Sequence, residues 1–392
     1  MNTLITNIGQ LVTPDGRGAV FGAAMSGLTV HESMEVLVSD GRIESVEPLG
    51  GPPNADRIID AGGRAVLPGL VDPHRHLTIP CVSAAGGAPQ SLMLDAREAS
   101  IDQDTQENRL LRGFRRAVAG GTSMVEVKCG MDGAGMDETE SLSLVQRVER
   151  ATPLRVSPTL LGDCPGLDKQ YRENRISALI SQIIPAVRRR RLARFCDVTC
   201  GDGGYTPREA EAILRAACGA GLRPKIHGLG RWPEEAVLLG ARLRAASVDC
   251  MKDCGRRASD ALRRSGAVSV LLPGTAFFRD EAYPDARGMI DNGLAVALGT
   301  DYGFSGYGVE SSWMILAIAV EKMNLSLEEA ITACTLNAAA ALEVADETGS
   351  VEPGKHGDLV VLDVEDYREI RGSIGRDPVW MTIIGGQVVY TS

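Results

Sequence analysis

Hydrophobic and polar residues alternate along both ends of the chain. The stretch MEVLVSDGRIESVEP (residues 34–48) alternates on either side of Asp40-Gly41, a pair that favours a tight hairpin turn. Near the other end, HGDLVVLD and WMTIIGGQVVY are short β-type runs separated by turn residues. The pattern predicts a small β-sandwich domain built from both termini, residues 1–66 together with 349–392.

The central part of the chain alternates between strand-like and helix-like segments, which is the pattern of a parallel α/β domain. Thr206 and Ser326 each stand three residues before a glutamate, as in the capping boxes that begin helices. Eight candidate parallel strands, each followed by a helix, predict a distorted (β/α)8 TIM barrel over residues 67–348. The strands are predicted to end near His76, Lys128, Leu161, Cys200, His227, Cys250, Pro273 and Asp301.

Composition and charge limit the class of partner. Of 392 residues, 44% are hydrophobic and 23% are charged, which suits a globular protein with a large core. The net charge of −10 disfavours nucleic acid and anionic membranes, because both need a basic face. The Arg188–Arg191 run is therefore interpreted as a solvated helix face. We expect a small-molecule substrate.

Cysteine usage and the N-terminal sequence indicate the compartment. The nine cysteines are scattered and odd in number, which is unlike a compact disulfide framework. With no signal-peptide pattern, they predict reduced thiols and a cytoplasmic location. The longest apolar stretches, such as Trp313–Val320, are too short to span a bilayer. The pairs Cys196/Cys200 and Cys250/Cys254 are spaced too widely along a strand to hold one structural zinc ion.

The strongest chemical motif is a pair of histidines, His74 and His76, at the polar end of the apolar run GLVDP. In a strand, side chains at i and i+2 point to the same side, about 7 Å apart along the chain. Two imidazoles in that arrangement can converge on one ion. The pair alone is also compatible with a chance placement of two histidines on a strand.

Two further strand ends strengthen the metal interpretation. RPKIH ends the fifth predicted strand in His227, and VALGTD ends the eighth in Asp301. Barrel active sites are built from the C-terminal ends of strands, so these residues can meet the histidine pair of the first strand. Nitrogen and carboxylate ligands suit Zn²⁺ best, with Fe²⁺ as an alternative. We therefore predict one divalent metal ion held by His74, His76, His227 and Asp301.

The order of these motifs resembles the amidohydrolase superfamily: VLPGLVDPHRHL, VEVK, KIH, GTD and GSVEPGKHGDLVVLD. Within it, VEVKCG, PTLLG, DVTCGDGGYT and VLLPGTAFF are similar to the imidazolonepropionases, and the similarity extends over nearly the whole chain. The resemblance implies a distorted (β/α)8 barrel with a composite β-sandwich, one catalytic metal and a homodimer. It also implies hydrolysis of a C–N bond in a cyclic amide or related heterocycle.

Four positions depart from the imidazolonepropionase pattern. Met131 stands where the family has a tyrosine, Cys164 where it has a substrate-binding histidine, Gly230 where it has a glutamate, and Cys250 where it has a histidine. Gly-Phe-Ser also replaces the family's Asn-Pro-Gly near the metal aspartate. The metal ligands match while the substrate contacts differ, so we expect a substrate other than imidazolonepropionate.

Two residues are candidates for catalytic roles. Asp301 is expected to orient a water molecule, accept its proton and pass that proton to the leaving nitrogen. Gly230 and Cys250 cannot replace the family's glutamate and histidine as conventional proton carriers, so either Asp301 does more of this work or a Cys250 thiolate takes part. Cys164 and Cys250 can instead be small hydrophobic fillers.

Lys128 has two interpretations. It binds a substrate carboxylate, or it pairs with a nearby acid such as Glu126 or Asp163. Binuclear relatives carry a carboxylated lysine on the fourth strand, whereas Lys128 lies on the second, which favours one metal. The predicted substrate-binding residues are Lys128, Asp163, Cys164 and Tyr302.

Two other functions remain open at this point. One is a deaminase of an amino-heterocycle on the same scaffold, and the missing glutamate at Gly230 argues against it. The other is a catalytically divergent, non-hydrolytic metal-binding barrel. The four changed positions support that interpretation, and the retention of all four metal ligands argues against it.

Overall fold

The computed structural model describes residues 2–50, 55–77, 103–130, 136–162, 169–201, 204–229, 233–249, 251–252, 255–303, 309–372 and 375–392. Two sheets of eight strands organise the chain. One is a parallel barrel sheet from the middle of the sequence, and the other is a mixed sheet from both termini. Both parts of the predicted α/β architecture are therefore confirmed.

Parallel strands in sequence order form the barrel sheet, and each pairs with the next along the chain. Their C-terminal ends lie within four residues of the positions that the sequence predicts, the largest difference being Asp72 for a predicted end near His76. In order they are β6 (Leu70–Asp72), β7 (Thr122–Cys129), β8 (Arg155–Leu161), β9 (Phe195–Gly201), β10 (Arg223–Leu229), β11 (Ser247–Asp249), β12 (Val268–Leu271) and β13 (Val296–Leu298).

Helices connect and follow the barrel strands. They are α1 (Gln103–Ala119), α2 (Glu138–Glu149), α3 (Lys169–Ala178), α4 (Ile184–Arg190), α5 (Pro207–Gly219), α6 (Pro233–Leu243), α7 (Arg256–Ser265), α8 (Pro273–Arg279), α9 (Ala286–Asp291), α10 (Ser312–Lys322), α11 (Leu327–Cys334) and α12 (Leu336–Ala341). Capping boxes begin α5 at Thr206 and α11 at Ser326, as predicted. The Arg188–Arg191 run is exposed at the end of α4. Within the described residues, no helix is both long and apolar enough to cross a membrane.

The terminal segments pair in one mixed sheet. Its strands are β1 (Asn2–Pro14), β2 (Leu28–Ser39), β3 (Arg42–Pro48), β4 (Arg57–Asp60), β5 (Ala65–Pro68), β14 (Leu359–Leu362), β15 (Val379–Ile384) and β16 (Gln387–Thr391). Asp40 and Gly41 join β2 to β3 with positive φ angles of 48° and 82°, which is the hairpin turn that the sequence predicts. Strands from both ends of the sheet share one hydrophobic cluster, separate from the main core.

A side-chain contact closes the barrel between its first and last strands. The Thr300 hydroxyl donates to the buried carboxylate of Asp72 at 2.6 Å, and the Thr300 N–H donates to the same carboxylate at 3.1 Å. Burial raises the pKa of Asp72, and the charge of Arg75 and the hydrogen bonds from Thr300 offset part of that rise. The contact brings the segments after β6 and β13 together, and these segments carry the candidate site.

Candidate metal centre

Backbone hydrogen bonds between the first and last strand ends position three candidate ligands. The Asp301 N–H donates to the His74 carbonyl, and the His76 N–H donates to the Tyr302 carbonyl, both at 2.9 Å. A Cβ atom on Gly299 would lie 2.7 Å from the His74 Cβ, so this close approach requires glycine. Asp301 has a φ of 55°, a sparsely populated conformation of the kind that clusters at functional sites.

Three buried ligand atoms meet at these strand ends. The His74 Nε2 atom lies 3.3 Å from the His76 Nε2 atom and 3.5 Å from the Asp301 Oδ1 atom. The His76 Nε2 atom lies 3.2 Å from the same oxygen. Ligands placed tetrahedrally about 2.0–2.1 Å from a zinc ion are separated by roughly 3.3–3.4 Å. The spacing of the three atoms therefore fits one tetrahedrally coordinated ion.

His227 lies beside this triad at the end of β10. Its ring centroid is 4.6 Å from that of His74, and its Nδ1 atom lies 3.3 Å from the Asp197 Oδ2 atom. Among the described residues, two groups have ligand atoms close enough to share an ion: His74, His76 and Asp301 form one, and His74, His227 and Asp249 form the other. His74 is common to both groups, whereas His227 groups with Asp249 rather than with His76 and Asp301, so its place in the same coordination sphere stays a prediction.

The protonation state of His74 suits metal binding. Burial, together with the positive charge of Lys128, lowers the pKa of His74 to about 3. The imidazole is therefore neutral at pH 7, as a metal ligand must be. Burial raises the pKa of Asp301, but hydrogen bonding and charge from His76 outweigh it and hold this pKa well below its usual range.

The barrel interior beneath the triad carries an excess of buried carboxylates. Lys128 and Lys225 supply two ammonium groups, and Asp301 is the fourth carboxylate beside Glu126, Asp197 and Asp249. Four carboxylates and two ammonium groups leave two negative charges that no lysine compensates. Buried charge of one sign is costly unless it is paired or coordinates a metal. A divalent cation would neutralise this set.

Lys128 is enclosed by acids in the barrel interior. Its Nζ atom lies 3.4 Å from the Glu126 Oε2 atom, 2.6 Å from the Asp197 Oδ2 atom and 2.9 Å from the Asp249 Oδ2 atom. Burial lowers the pKa of Lys128, but the three carboxylates outweigh burial and raise this pKa well above its usual value. These contacts favour the pairing interpretation of Lys128 over direct substrate binding.

Tyr302 is held at the rim of the site by two arginines. Its ring lies 4.6 Å from the Arg75 Cζ atom, and its hydroxyl accepts a hydrogen bond from Arg116 at 3.3 Å. Both arginines also pair with Glu310. The other predicted residues, Asp163, Cys164 and Cys250, lie outside the described residues, as do Met131 and Gly230. Their roles stay predictions.

Sequence reasoning missed the acids that contact the histidines, Asp197 and Asp249, and the second buried lysine, Lys225. A signal for them was present. Lys225 stands two residues before His227 on β10, so the two side chains face the same side of the strand. Asp197 and Asp249 are the single charged residues of β9 and β11, two buried strands. A charged residue that faces a barrel interior is informative because it needs a partner there.

Comparison with known proteins identifies the family. An amidohydrolase family model matches residues 209–389. An imidazolonepropionase from Bacteroides fragilis is 36% identical over 418 residues, 99% of this chain and 98% of the relative. One from Thermoanaerobacter pseudethanolicus is 32% identical over 381 residues, 92% of this chain and 91% of the relative. The chain belongs to the amidohydrolase superfamily.

Within that superfamily the chain is imidazolonepropionase-like, and it is a hydrolase that acts on C–N bonds other than peptide bonds. Solved structures agree on the fold. A triazine hydrolase from Arthrobacter aurescens superposes with a TM-score of 0.76 at 16% identity, covering 100% of this chain and 95% of that one. The ochratoxinase of A. niger superposes with a TM-score of 0.73 at 18% identity, covering 100% and 96%.

Proposed function

We propose that this protein hydrolyses a C–N bond in a cyclic amide or related heterocycle, with one divalent metal ion held by His74, His76, His227 and Asp301. The observation that carries the proposal is the 3.2–3.5 Å spacing of the His74, His76 and Asp301 ligand atoms. Three imidazoles and one carboxylate favour Zn²⁺, with Fe²⁺ as the second choice. When bound, such an ion supplies Lewis acidity that activates water and polarises a carbonyl group at neutral pH.

Asp301 is the residue to which we assign proton transfer. Its Oδ1 atom faces the two imidazoles, while its Oδ2 atom accepts a hydrogen bond from the Thr275 hydroxyl at 2.5 Å. This bond fixes the orientation of a carboxylate that stays ionised. We propose that Asp301 accepts a proton from the attacking water and delivers it to the leaving nitrogen.

We assign the remaining predicted residues by their position in the chain. Cys250 directly follows Asp249 at the end of β11, and a second proton-carrying role at that strand end is proposed for its thiol. Asp163 and Cys164 follow β8, and Tyr302 follows Asp301, so we propose that they contact substrate. In this proposal Lys128 does not contact the substrate, because its ammonium group is buried among carboxylates.

The proposal also covers the substrate class, the oligomeric state and the cellular location of the protein. We propose a small-molecule substrate, a homodimer and a cytoplasmic location. The last rests on the use of cysteine, since Cys196, Cys200, Cys218 and Cys334 are free thiols.

The hydrogen bond from Thr275 to Asp301 leads to a direct prediction. Thr275→Val keeps the side-chain shape and removes the donor, which leaves the carboxylate free to rotate. We expect kcat to fall roughly ten- to a hundredfold, the range for losing a hydrogen bond to a charged group, with metal content unchanged. Steady-state kinetics with elemental analysis measures both quantities.

Thr382 provides a matched control for this variant. It is a buried threonine in the terminal sheet, and its hydroxyl donates to the Val118 carbonyl at 2.8 Å. Thr382→Val should lower the melting temperature and leave kcat near the wild-type value. Equal kcat values in the two variants would remove the assigned role of Thr275.

A substrate screen tests the function itself. Metal-loaded protein is incubated with imidazolones, hydantoins, lactams and amino-heterocycles, and products are followed by mass spectrometry and an ammonia assay. The proposal predicts ring opening with addition of one water and no ammonia release on at least one cyclic amide. Ammonia release from an amino-heterocycle would establish a deaminase instead. Metal binding without turnover on any compound would favour the non-hydrolytic interpretation.

A further inference from the structure

Lys128 occupies the midpoint of a chain of buried contacts that joins two candidate metal ligands. Its Nζ atom lies 2.6 Å from the Asp197 Oδ2 atom and 2.9 Å from the Asp249 Oδ2 atom. The same two oxygens contact histidine: Asp197 Oδ2 lies 3.3 Å from the His227 Nδ1 atom, and Asp249 Oδ2 lies 2.7 Å from the His74 Nδ1 atom. One ammonium group thus connects the aspartates that contact His74 and His227.

These aspartates select one tautomer of each histidine. A carboxylate can only accept a hydrogen bond, so it holds the ring proton on Nδ1 and leaves the lone pair on Nε2. The geometry at His74 agrees with this tautomer, because its Nε2 atom faces His76 and Asp301. A carboxylate on the far nitrogen also fixes the ring plane and raises the basicity of the ligating nitrogen.

The two aspartates depend on Lys128 to different degrees. The side chains of Lys128, Asp197 and Asp249 are fully excluded from water. In such a buried environment, neighbouring carboxylates repel each other unless a cation lies between them. Asp249 has additional support, since the Ser247 hydroxyl donates to its Oδ1 atom at 2.5 Å. Within the part of the chain that the structure describes, the Oδ1 atom of Asp197 has no hydrogen-bond partner. The contact between Asp197 and His227 is therefore more sensitive to loss of Lys128 than the contact between Asp249 and His74.

We infer that Lys128 is a positioning residue for the metal centre: it fixes Asp197 and Asp249 so that they hold His227 and His74 ready to bind the ion. The inference rests on the proposed metal site and adds a residue that touches neither the ion nor the substrate. Lys128 thereby restricts the side-chain orientations of two ligands: His227, which lies on β10, and His74, which lies in the segment after β6.

Lys225 supplies a matched control. It is also a fully buried lysine of the barrel interior, and it pairs with Glu126 at 2.9 Å. Lys128→Met and Lys225→Met each remove a buried ammonium group and retain a long apolar side chain. Both should lower the melting temperature, but only Lys128→Met releases the aspartates beside the metal histidines.

The experiment measures Zn²⁺ affinity by competition with a chromophoric chelator for the full-length wild type and both variants. We expect Lys128→Met to weaken Zn²⁺ binding about ten- to a hundredfold, the range for losing an outer partner of a metal ligand. Lys225→Met removes an equal positive charge from the barrel interior without breaking a contact to Asp197 or Asp249, so its Zn²⁺ affinity should equal or exceed that of wild type, within a scatter of about threefold. The visible spectrum of the Co²⁺-substituted protein should change in Lys128→Met and not in Lys225→Met.

Single asparagine variants keep the test decisive if Lys128→Met does not fold. Asp197→Asn and Asp249→Asn each preserve shape and remove a charge that Lys128 holds, and each should weaken Zn²⁺ binding. Equal Zn²⁺ affinity in Lys128→Met and Lys225→Met, or an unchanged affinity in both asparagine variants, would overturn the inference. A wild-type protein that binds no divalent ion would overturn the proposed function as well, which separates the two failures.

Discussion

Asp301→Asn is expected to lower kcat by about a hundred- to ten-thousand-fold, the contribution of a positioned acid–base group. Asparagine has nearly the same shape but cannot accept and return the proton of the attacking water. It also tolerates the φ of 55° found at Asp301, since asparagine is enriched in this left-handed region. The loss of activity therefore reports chemistry rather than a disturbed backbone.

The measurement is kcat at saturating Zn²⁺, with metal content determined on the same sample. Asp280→Asn is the control, because Asp280 has a similar φ of 51° at the exposed C-terminal end of α8. That variant should keep wild-type turnover. An Asp301→Asn protein with wild-type kcat would refute the assignment of Asp301.

Removal of the metal is the second change with a large expected effect. Apo-protein should have no hydrolytic activity, and its melting temperature should fall by roughly 5–10 °C, since a ligand at a thousand times its Kd stabilises by about 4 kcal/mol. The physical reason is the two negative charges in the barrel interior that no lysine compensates, left by Glu126, Asp197, Asp249 and Asp301. One equivalent of Zn²⁺ should restore both properties.

Calorimetry with and without a chelator checks this expectation. In His76→Ala, which lacks one imidazole of the triad, the dependence of melting temperature on Zn²⁺ should largely disappear. Equal melting temperatures and activities for chelated and metal-loaded wild type would contradict a resident metal.

Much of the fold could be read from local sequence patterns. The barrel strands end where apolar runs meet polar residues, and α5 and α11 begin at the capping boxes of Thr206 and Ser326. Such signals depend on neighbouring residues only. The β-rich composition of both termini predicts that the two ends form one domain, but it does not predict the antiparallel pairing of β5 with β14 that joins them.

The site was predictable only in part. His74, His76, His227 and Asp301 are polar residues at strand ends, so the barrel rule alone brings them together. The sequence also suggested Glu126 as a partner for Lys128, since both face the same side of β7. Asp197 and Asp249 come from β9 and β11, and their contacts with Lys128 cross the barrel interior. Distances across a barrel depend on its closure, which no local spacing encodes.

Anomalous diffraction at the zinc edge, from crystals of the Zn²⁺-loaded protein, tests the central claim most directly. The account predicts a single strong peak within about 2.0–2.3 Å of nitrogen or oxygen atoms of His74, His76, His227 and Asp301. The absence of a peak there, or a peak ligated by Asp249 with His74 and His227 and distant from Asp301, would contradict it.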